Sequence, residues 1–333
     1  MKKYLWLFCL VLCLLTGCQS GGTPTSQETT PFTRGETYSD EQLSLSVQTV
    51  WFSDCVMAPL TDDPDNSFTT YAAKNRTDQR YVDCIADVKN LGSEPLDLFH
   101  DLYFYCTGEE MLYQDCMVLL ETEDGTDLTD AAPANEEETG LTLESGASAR
   151  IHYAIVLPDT VSPDNLELCF RMPASGQIYG AGLSDLLSDQ DSCPVGTTLD
   201  AQTGSALTLK SASIVNEIKA VSPEGGITSL YMENEDEELV DFVVELTYNG
   251  SEPASPGTLF SGYAINADNI VSPGTLFLET GGDLTTSGTV QPGTTATLHL
   301  VFVLSDELTQ SDPFGLYFDG KYYSIPAEFG DAA

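Results

Sequence analysis

The chain has 333 residues, with 12 basic against 52 acidic side chains and a formal charge of −40 at neutral pH. Like charges repel, so nucleic-acid backbones and anionic lipid headgroups are poor partners, whereas 41% hydrophobic residues with 9% aromatics is the composition of a chain that folds. Three histidines and twelve cations leave little material for catalysis near neutral pH, and the length suits about two domains.

Residues 1–20 read MKKYLWLFCLVLCLLTGCQS. Lys2 and Lys3 precede an apolar run from Tyr4 to Leu15, shorter than the roughly 20 residues that span a bilayer but suited to an export signal. The run ends in Leu15-Thr16-Gly17-Cys18, which resembles the lipobox of bacterial lipoproteins. That resemblance implies cleavage after residue 17 and lipid attachment at Cys18, with acyl chains holding the protein at the outer face of the cell membrane. An ordinary secretory signal with an incidental cysteine is the competing reading. Residues 18–37 are rich in Gly, Ser, Thr, Pro and Gln and read as the lipidated cysteine followed by a flexible tether.

Beyond the tether the chain repeats itself. Val82-Asp83-Cys84-Ile85-Ala86-Asp87-Val88 aligns with Val240-Asp241-Phe242-Val243-Val244-Glu245-Leu246 at an offset of 158, and Gly92-Ser93-Glu94-Pro95 matches Gly250-Ser251-Glu252-Pro253 at the same offset. Farther on, Gly146 to His152 aligns with Gly293 to His299 at an offset of 147, and Leu168-Cys169-Phe170 corresponds to Leu316-Tyr317-Phe318. Both copies read as β. Val82, Cys84, Ala86 and Val88 alternate with Asp83, Asp87 and Lys89, with Ile85 the exception; Val240, Phe242, Val244 and Leu246 alternate likewise. A period of two puts one face toward a core and one toward water. Ile151 to Leu157 and Leu298 to Leu304 are nearly all apolar and predict central strands. Counting apolar runs between turn signals predicts about seven strands per copy, as in a β-sandwich. Leu183 to Leu187 is the one short helical candidate.

The alternating strand, the turn Asn90-Leu91-Gly92-Ser93-Glu94-Pro95, the Gly146 turn and the strand Ile151 to Leu157 together resemble a bacterial immunoglobulin-like domain found in lipoproteins and secreted proteins of Gram-positive bacteria. The resemblance implies an all-β chain of two tandem immunoglobulin-like β-sandwiches and a cell-surface setting, and it brings no catalytic residues. The second copy departs from the pattern with Tyr248-Asn249 before its turn. The expected organisation is a signal peptide at 1–17, a tether at 18–37, a cysteine-rich sandwich at 38–182, a linker at 183–204 and a cysteine-free sandwich at 205–333.

Six cysteines remain after the signal and the anchor: Cys55, Cys84, Cys106, Cys116, Cys169 and Cys193. An even number in an exported protein predicts disulfides, with Cys106 and Cys116 flanking a hairpin as the best single pair; buried free thiols are the other reading. Without a Cys-x-x-Cys or a neighbouring histidine pair, zinc is not expected. His152 and His299 fall at equivalent positions and are expected to be strand histidines satisfied by the adjoining sheet. Asp63, Asp65 and Ser67 have the oxygen spacing that opens a calcium loop, but Phe68 and Lys74 stand where that loop needs Gly and Glu. Asp63 and Asp65 are thus candidate calcium ligands in a half-present pattern, and no cofactor is otherwise expected.

Nucleophile-elbow, zincin, phosphate-loop and dinucleotide-binding motifs are missing from the sequence. The expectation is a lipid-anchored extracellular binding or structural module without catalysis, whose partner is an extracellular protein or glycan and not a nucleic acid. The alternative is a carbohydrate-binding surface protein using Trp51-Phe52, Tyr103, Tyr105, Tyr113 and Tyr322-Tyr323 as exposed stacking platforms.

Overall fold

A computed structural model describes residues 29–53, 55–62, 70–71, 79–108, 111–131, 141–187, 191–221, 229–231, 238–267, 271–326 and 329. Cys18, Asp63 and Asp65 lie outside these residues, as does most of the sequence around them. The chain is all-β and folds into two sandwiches, each of one five-stranded and one six-stranded sheet.

Among the described residues, the two main sheets of the first sandwich hold eleven strands: β1 (Thr30–Pro31), β2 (Tyr38–Ser39), β3 (Leu43–Ser53), β4 (Gln79–Asn90), β5 (Tyr103–Thr107), β6 (Leu112–Tyr113), β7 (Cys116–Glu121), β8 (Leu128–Asp130), β9 (Ser148–Pro158), β10 (Glu167–Arg171) and β11 (Ile178–Gly182). The second repeats them as β12 (Asp191–Ser192), β13 (Thr198–Asp200), β14 (Ala206–Val215), β15 (Leu239–Tyr248), β16 (Phe260–Ile265), β17 (Val271–Pro273), β18 (Thr275–Thr280), β19 (Asp283–Thr285), β20 (Thr294–Val303), β21 (Phe314–Phe318) and β22 (Lys321–Ile325). Sheet orders correspond strand for strand: β1-β11-β10-β5-β6 with β12-β22-β21-β16-β17, and β8-β7-β9-β4-β3-β2 with β19-β18-β20-β15-β14-β13. In both copies the first strand pairs parallel with the last. Even a bulge is repeated, at Gln48 of β3 and at Lys210 of β14. The seven predicted strands per copy grow to eleven because two- and three-residue edge strands are too short to show a period.

The cores follow from the alternation. Val82, Cys84, Ala86 and Val88 of β4 lie between the two sheets beside Tyr153 and Ile151 of neighbouring β9, in one core with Phe104 and Phe170 of the other sheet. Phe104 stacks on Tyr153 at 4.2 Å between ring centroids and Phe170 on Tyr179 at 5.1 Å. In the second core Phe242 occupies the place of Cys84, against Phe302, Phe314 and Leu316. The turns after β4 and β15 close differently. Asn90 donates from its amide to Glu94 O and Leu143 O, while Tyr248 donates from its hydroxyl to Glu252 O. The departure at Tyr248-Asn249 therefore replaces the Asn90 amide by a phenol at the equivalent glutamate carbonyl, without a counterpart of the bond to Leu143 O.

Several boundaries shift from the sequence reading. Thr30–Pro31 already pairs with β11 and Phe32 is buried in the first core, so the sandwich begins inside the stretch read as tether. The stretch read as a linker is mostly built in. Leu183 and Leu186, on the short helix Leu183–Leu186, sit in the first core, and strands β12 and β13 join the two sheets of the second sandwich. Cys193 is in the second core, so that sandwich is not cysteine-free.

The six cysteines are free thiols, contrary to the disulfide expectation. The hairpin of β5 and β6 sets Tyr113, not Cys116, opposite Cys106, and Cys116 lies on β7 of the other sheet. Burial pushes Cys106 and Cys169 up to about 12 and Cys193 to about 11, and raises Cys84 and Cys116 as well. These thiols are protonated at neutral pH, and a protonated thiol is a poor nucleophile.

Candidate functional site

The outer face of the first six-stranded sheet is not given to water along its whole length. At one end it carries Trp51 and Thr49 of β3, Asp83 and Ile85 of β4, His152 and Ala154 of β9, and Leu119 and Glu121 of β7, all buried. The outer face of the second sandwich's five-stranded sheet covers Trp51 and Ile85 with Tyr263, Tyr317 and Tyr322, while Leu119 and Ala154 pack with Val56, Ala58 and Tyr81 of the first sandwich. The Trp51 ring meets Tyr322 at 4.7 Å and Tyr263 at 5.2 Å, both edge to face. Ile85, the residue that broke the alternation of β4, is part of this contact. Backbone contacts add to it. Thr61 N–H donates to Gly257 O at 3.1 Å, and Ser261 Oγ donates to Pro59 O. A Cβ at Gly257 would stand 2.6 Å from Thr61 O, so only glycine lets the two backbones approach this closely.

Beneath the aromatic contact lies a buried charge cluster. His152 Nδ1 is 3.0 and 3.1 Å from the two Asp83 oxygens, Nε2 is 3.4 Å from Glu121 Oε2, and Trp51 Nε1–H donates to Asp83 Oδ2 at 3.0 Å. Burial alone would lower the imidazole pKa, but the adjacent Asp83 and Glu121 carboxylates outweigh it and bring the ring up to about 9. His152 is thus an imidazolium at neutral pH, with both nitrogens donating. The second sandwich repeats the arrangement: His299 Nδ1 is 3.0 Å from Asp241, and Nε2 is 4.0 Å from Glu279 Oε2. There the residue paired with Asp241 on the neighbouring strand is Ser213, where the first sandwich has Trp51. The expectation of a satisfied strand histidine holds for His152, whereas His299 Nε2 is buried without a hydrogen-bond partner among the described residues; the partners that are present are carboxylates, which periodicity alone did not identify. His100 Nδ1 lies 2.9 Å from Asp97 Oδ2 on the surface.

Arg150 ties the cluster to the second sandwich. Its Nε and Nη2 donate to the Asp87 carboxylate at 2.8 and 3.3 Å, and its Nη1 donates to Tyr317 Oη at 3.0 Å and Gly320 O at 2.7 Å. Burial disfavours the guanidinium charge, but the Asp87 hydrogen bonds more than restore it, and the group stays charged. Burial in the same contact raises Tyr317 and Tyr322, which remain neutral phenols.

Past Arg150 the sandwiches diverge and leave a groove of about 1210 Å³. Its floor is the remainder of the same sheet face, with Ser46–Asp87–Arg150 in one cross-strand row and Ser44–Lys89–Ser148 in the next. Its far wall, from the second sandwich, includes Thr203, Ser205, Tyr248 and Asp319. A smaller, apolar pocket of about 490 Å³ lies on the second sandwich beside Phe277, Val301 and Leu308. Among the described residues no group of three or more His, Cys, Asp or Glu is disposed to hold a metal ion.

The aromatics proposed as stacking platforms divide sharply. Trp51 and Tyr322 are buried between the sandwiches, Tyr113 and Tyr323 pack against the two cores, and Phe52 packs on the first core with Arg80 Cζ 3.6 Å above its ring centre. Tyr103, 39% exposed, and half-buried Tyr105 remain at the surface of the first five-stranded sheet, their rings 5.7 Å apart. Tyr103 Oη is fixed by Gln114 at 2.8 Å.

No protein-family model matches the chain, and no curated protein does. Among solved structures the chain is similar to an uncharacterized β-sandwich protein from Clostridium difficile 630, with 17% identity and a TM-score of 0.36, over 47% of this chain and 97% of that one.

Proposed function

We propose that the protein is a non-catalytic binding module of two tandem immunoglobulin-like sandwiches, held at the outer face of a Gram-positive cell membrane by acyl chains on Cys18. The observation that carries the binding role is the groove between the sandwiches. It is bounded by both copies, and its walls are held in register by the Arg150 bonds and the Trp51 contact. Domain junctions are favoured places for ligand sites because two walls there can present polar groups that one convex sandwich cannot. A non-catalytic role is supported by the chemistry of the buried groups. The thiols are held protonated by burial, and both nitrogens of His152 are committed to carboxylates. The anchor rests on the lipobox-like sequence ahead of Cys18.

Cell fractionation of wild type and Cys18→Ala tests the anchoring. The wild-type protein is expected in the membrane fraction, and the variant is expected to be released or to accumulate unprocessed. Unchanged membrane retention of a processed variant would overturn this reading.

A further inference from the structure

We infer that the groove between the sandwiches binds a neutral oligosaccharide chain, with Lys89, Ser44 and Ser148 as its polar floor. This deepens the proposed binding role and rests on it. The charges of the groove are mostly spent: Asp87 is paired with Arg150, and Glu121 faces the His152 imidazolium. Asp319 on the far wall already accepts the Gln202 N–H. On the floor, the row Ser44–Lys89–Ser148, adjacent across β3, β4 and β9, stays unengaged. None of these three side chains makes a hydrogen bond or ion pair to another described residue, although Lys89 and Ser148 are exposed to solvent.

The chemistry of that row selects the ligand. An ammonium offers three donors and no acceptor, and each serine hydroxyl both donates and accepts. Together they match adjacent hydroxyls on a sugar ring, which need donors and acceptors side by side. A polyanionic chain is disfavoured by the net charge of −40 and by the rim carboxylates Glu123 and Asp319. A cationic chain would meet Lys89 on the floor and Arg150 beside it, and of the lining carboxylates only Glu123 has no partner among the described residues. Tyr248 adds ring surface on the opposite wall, the apolar component that polar sites use alongside hydrogen bonds. The volume of about 1210 Å³ exceeds the roughly 300–1,000 Å³ of single small-molecule pockets, which favours several linked rings over one.

An array of neutral glucan, xylan, mannan and galactan oligosaccharides, with heparin oligosaccharides and oligolysine alongside, tests the assignment on the lipid-free exported chain. Binding to one neutral series is expected, weakened by about tenfold or more in Lys89→Met and lost in Ser148→Trp. Tyr105→Ala, on the far side of the first sandwich, is expected to bind as wild type. Circular dichroism and thermal melts of each variant separate loss of binding from loss of fold. A silent neutral series, binding confined to heparin or oligolysine, or loss in Tyr105→Ala with retention in Ser148→Trp would overturn the inference. Cleavage of the bound oligosaccharide, read by mass spectrometry, would support the ligand class while overturning the non-catalytic reading, so the two failures are distinct.

Discussion

His152 and Asp83 form a charge pair sealed from solvent, with Nδ1 3.0 Å from Oδ2 and side chains 0% and 2% exposed. Buried ion pairs gain little over an apolar pair of the same shape, but removing one member leaves an uncompensated charge. His152→Leu strands Asp83 and Glu121 together, and a loss of about 3–5 kcal/mol is expected in urea unfolding at pH 7. The loss should shrink toward acid pH as the stranded carboxylates take up protons. A change below about 1 kcal/mol at pH 7 would contradict the charge assignment.

The same histidine sets a pH dependence whose direction follows from its pKa. Its folded value of about 9 lies above the ordinary unfolded value near 6.5, so folding favours the protonated ring. The stabilisation is therefore complete below pH about 6.5 and fades as the pH rises through 9, by a total on the order of 3 kcal/mol. Denaturation midpoints of wild type should fall across that window, and those of His152→Leu should stay flatter. Asp40 acts at the acid end. Partial burial would raise its pKa, but N–H donors from Ser175, Gln42, Leu43 and Ala174 hold it below the usual carboxylate value. Its contribution is present above the unfolded pKa near 3.9 and is lost as the pH falls through the lower folded value.

Trp51 joins the aromatic contact to the charge cluster, and two substitutions separate those roles. Trp51→Phe keeps an aromatic ring but removes the N–H that Asp83 accepts, for an expected cost of about 1–3 kcal/mol. Trp51→Ala also empties the space against Tyr263 and Tyr322 and should cost about 3–5 kcal/mol. Calorimetry should show the larger effect as a weakened coupling between the two sandwiches, with each core still melting cooperatively.

The turns offer a comparison between copies. Asn90→Ala orphans Glu94 O and Leu143 O and should cost about 1–3 kcal/mol, whereas Tyr248→Phe removes one exposed bond to Glu252 O and should cost less than about 1 kcal/mol. Gly146 and Gly293 occupy the matching turn at φ of 80° and 74°, with open space around both. Alanine there meets only the dihedral penalty, about 1–2 kcal/mol at either position. Chemical denaturation of the four variants checks this ranking.

How much of this was legible in the sequence depended on whether the feature left a period or a match. The long strands did: β4 and β15 through their alternation, which fixes a face, and β9 and β20 through nearly continuous apolar runs. The repeat extended farther than its matched blocks, down to the bulges at Gln48 and Lys210, which share no residue identity. Edge strands such as Thr30–Pro31 and Asp191–Ser192 carry no period and were absorbed into tether and linker. The contact between sandwiches had one visible sign, Ile85 on a face otherwise polar, yet only the folded chain brings Tyr322 onto Trp51. The groove row was hidden for the same reason: Ser44, Lys89 and Ser148 lie far apart in sequence and meet only through strand pairing.

The central claim is that the two sandwiches are locked face to face through Trp51 and Tyr322. A double-mutant cycle with Trp51→Ala, Tyr322→Ala and the double variant, read by urea unfolding, tests it most directly. The account predicts a coupling energy of about 1 kcal/mol or more between these residues from opposite halves of the chain. Additive losses, with a coupling indistinguishable from zero, would contradict it.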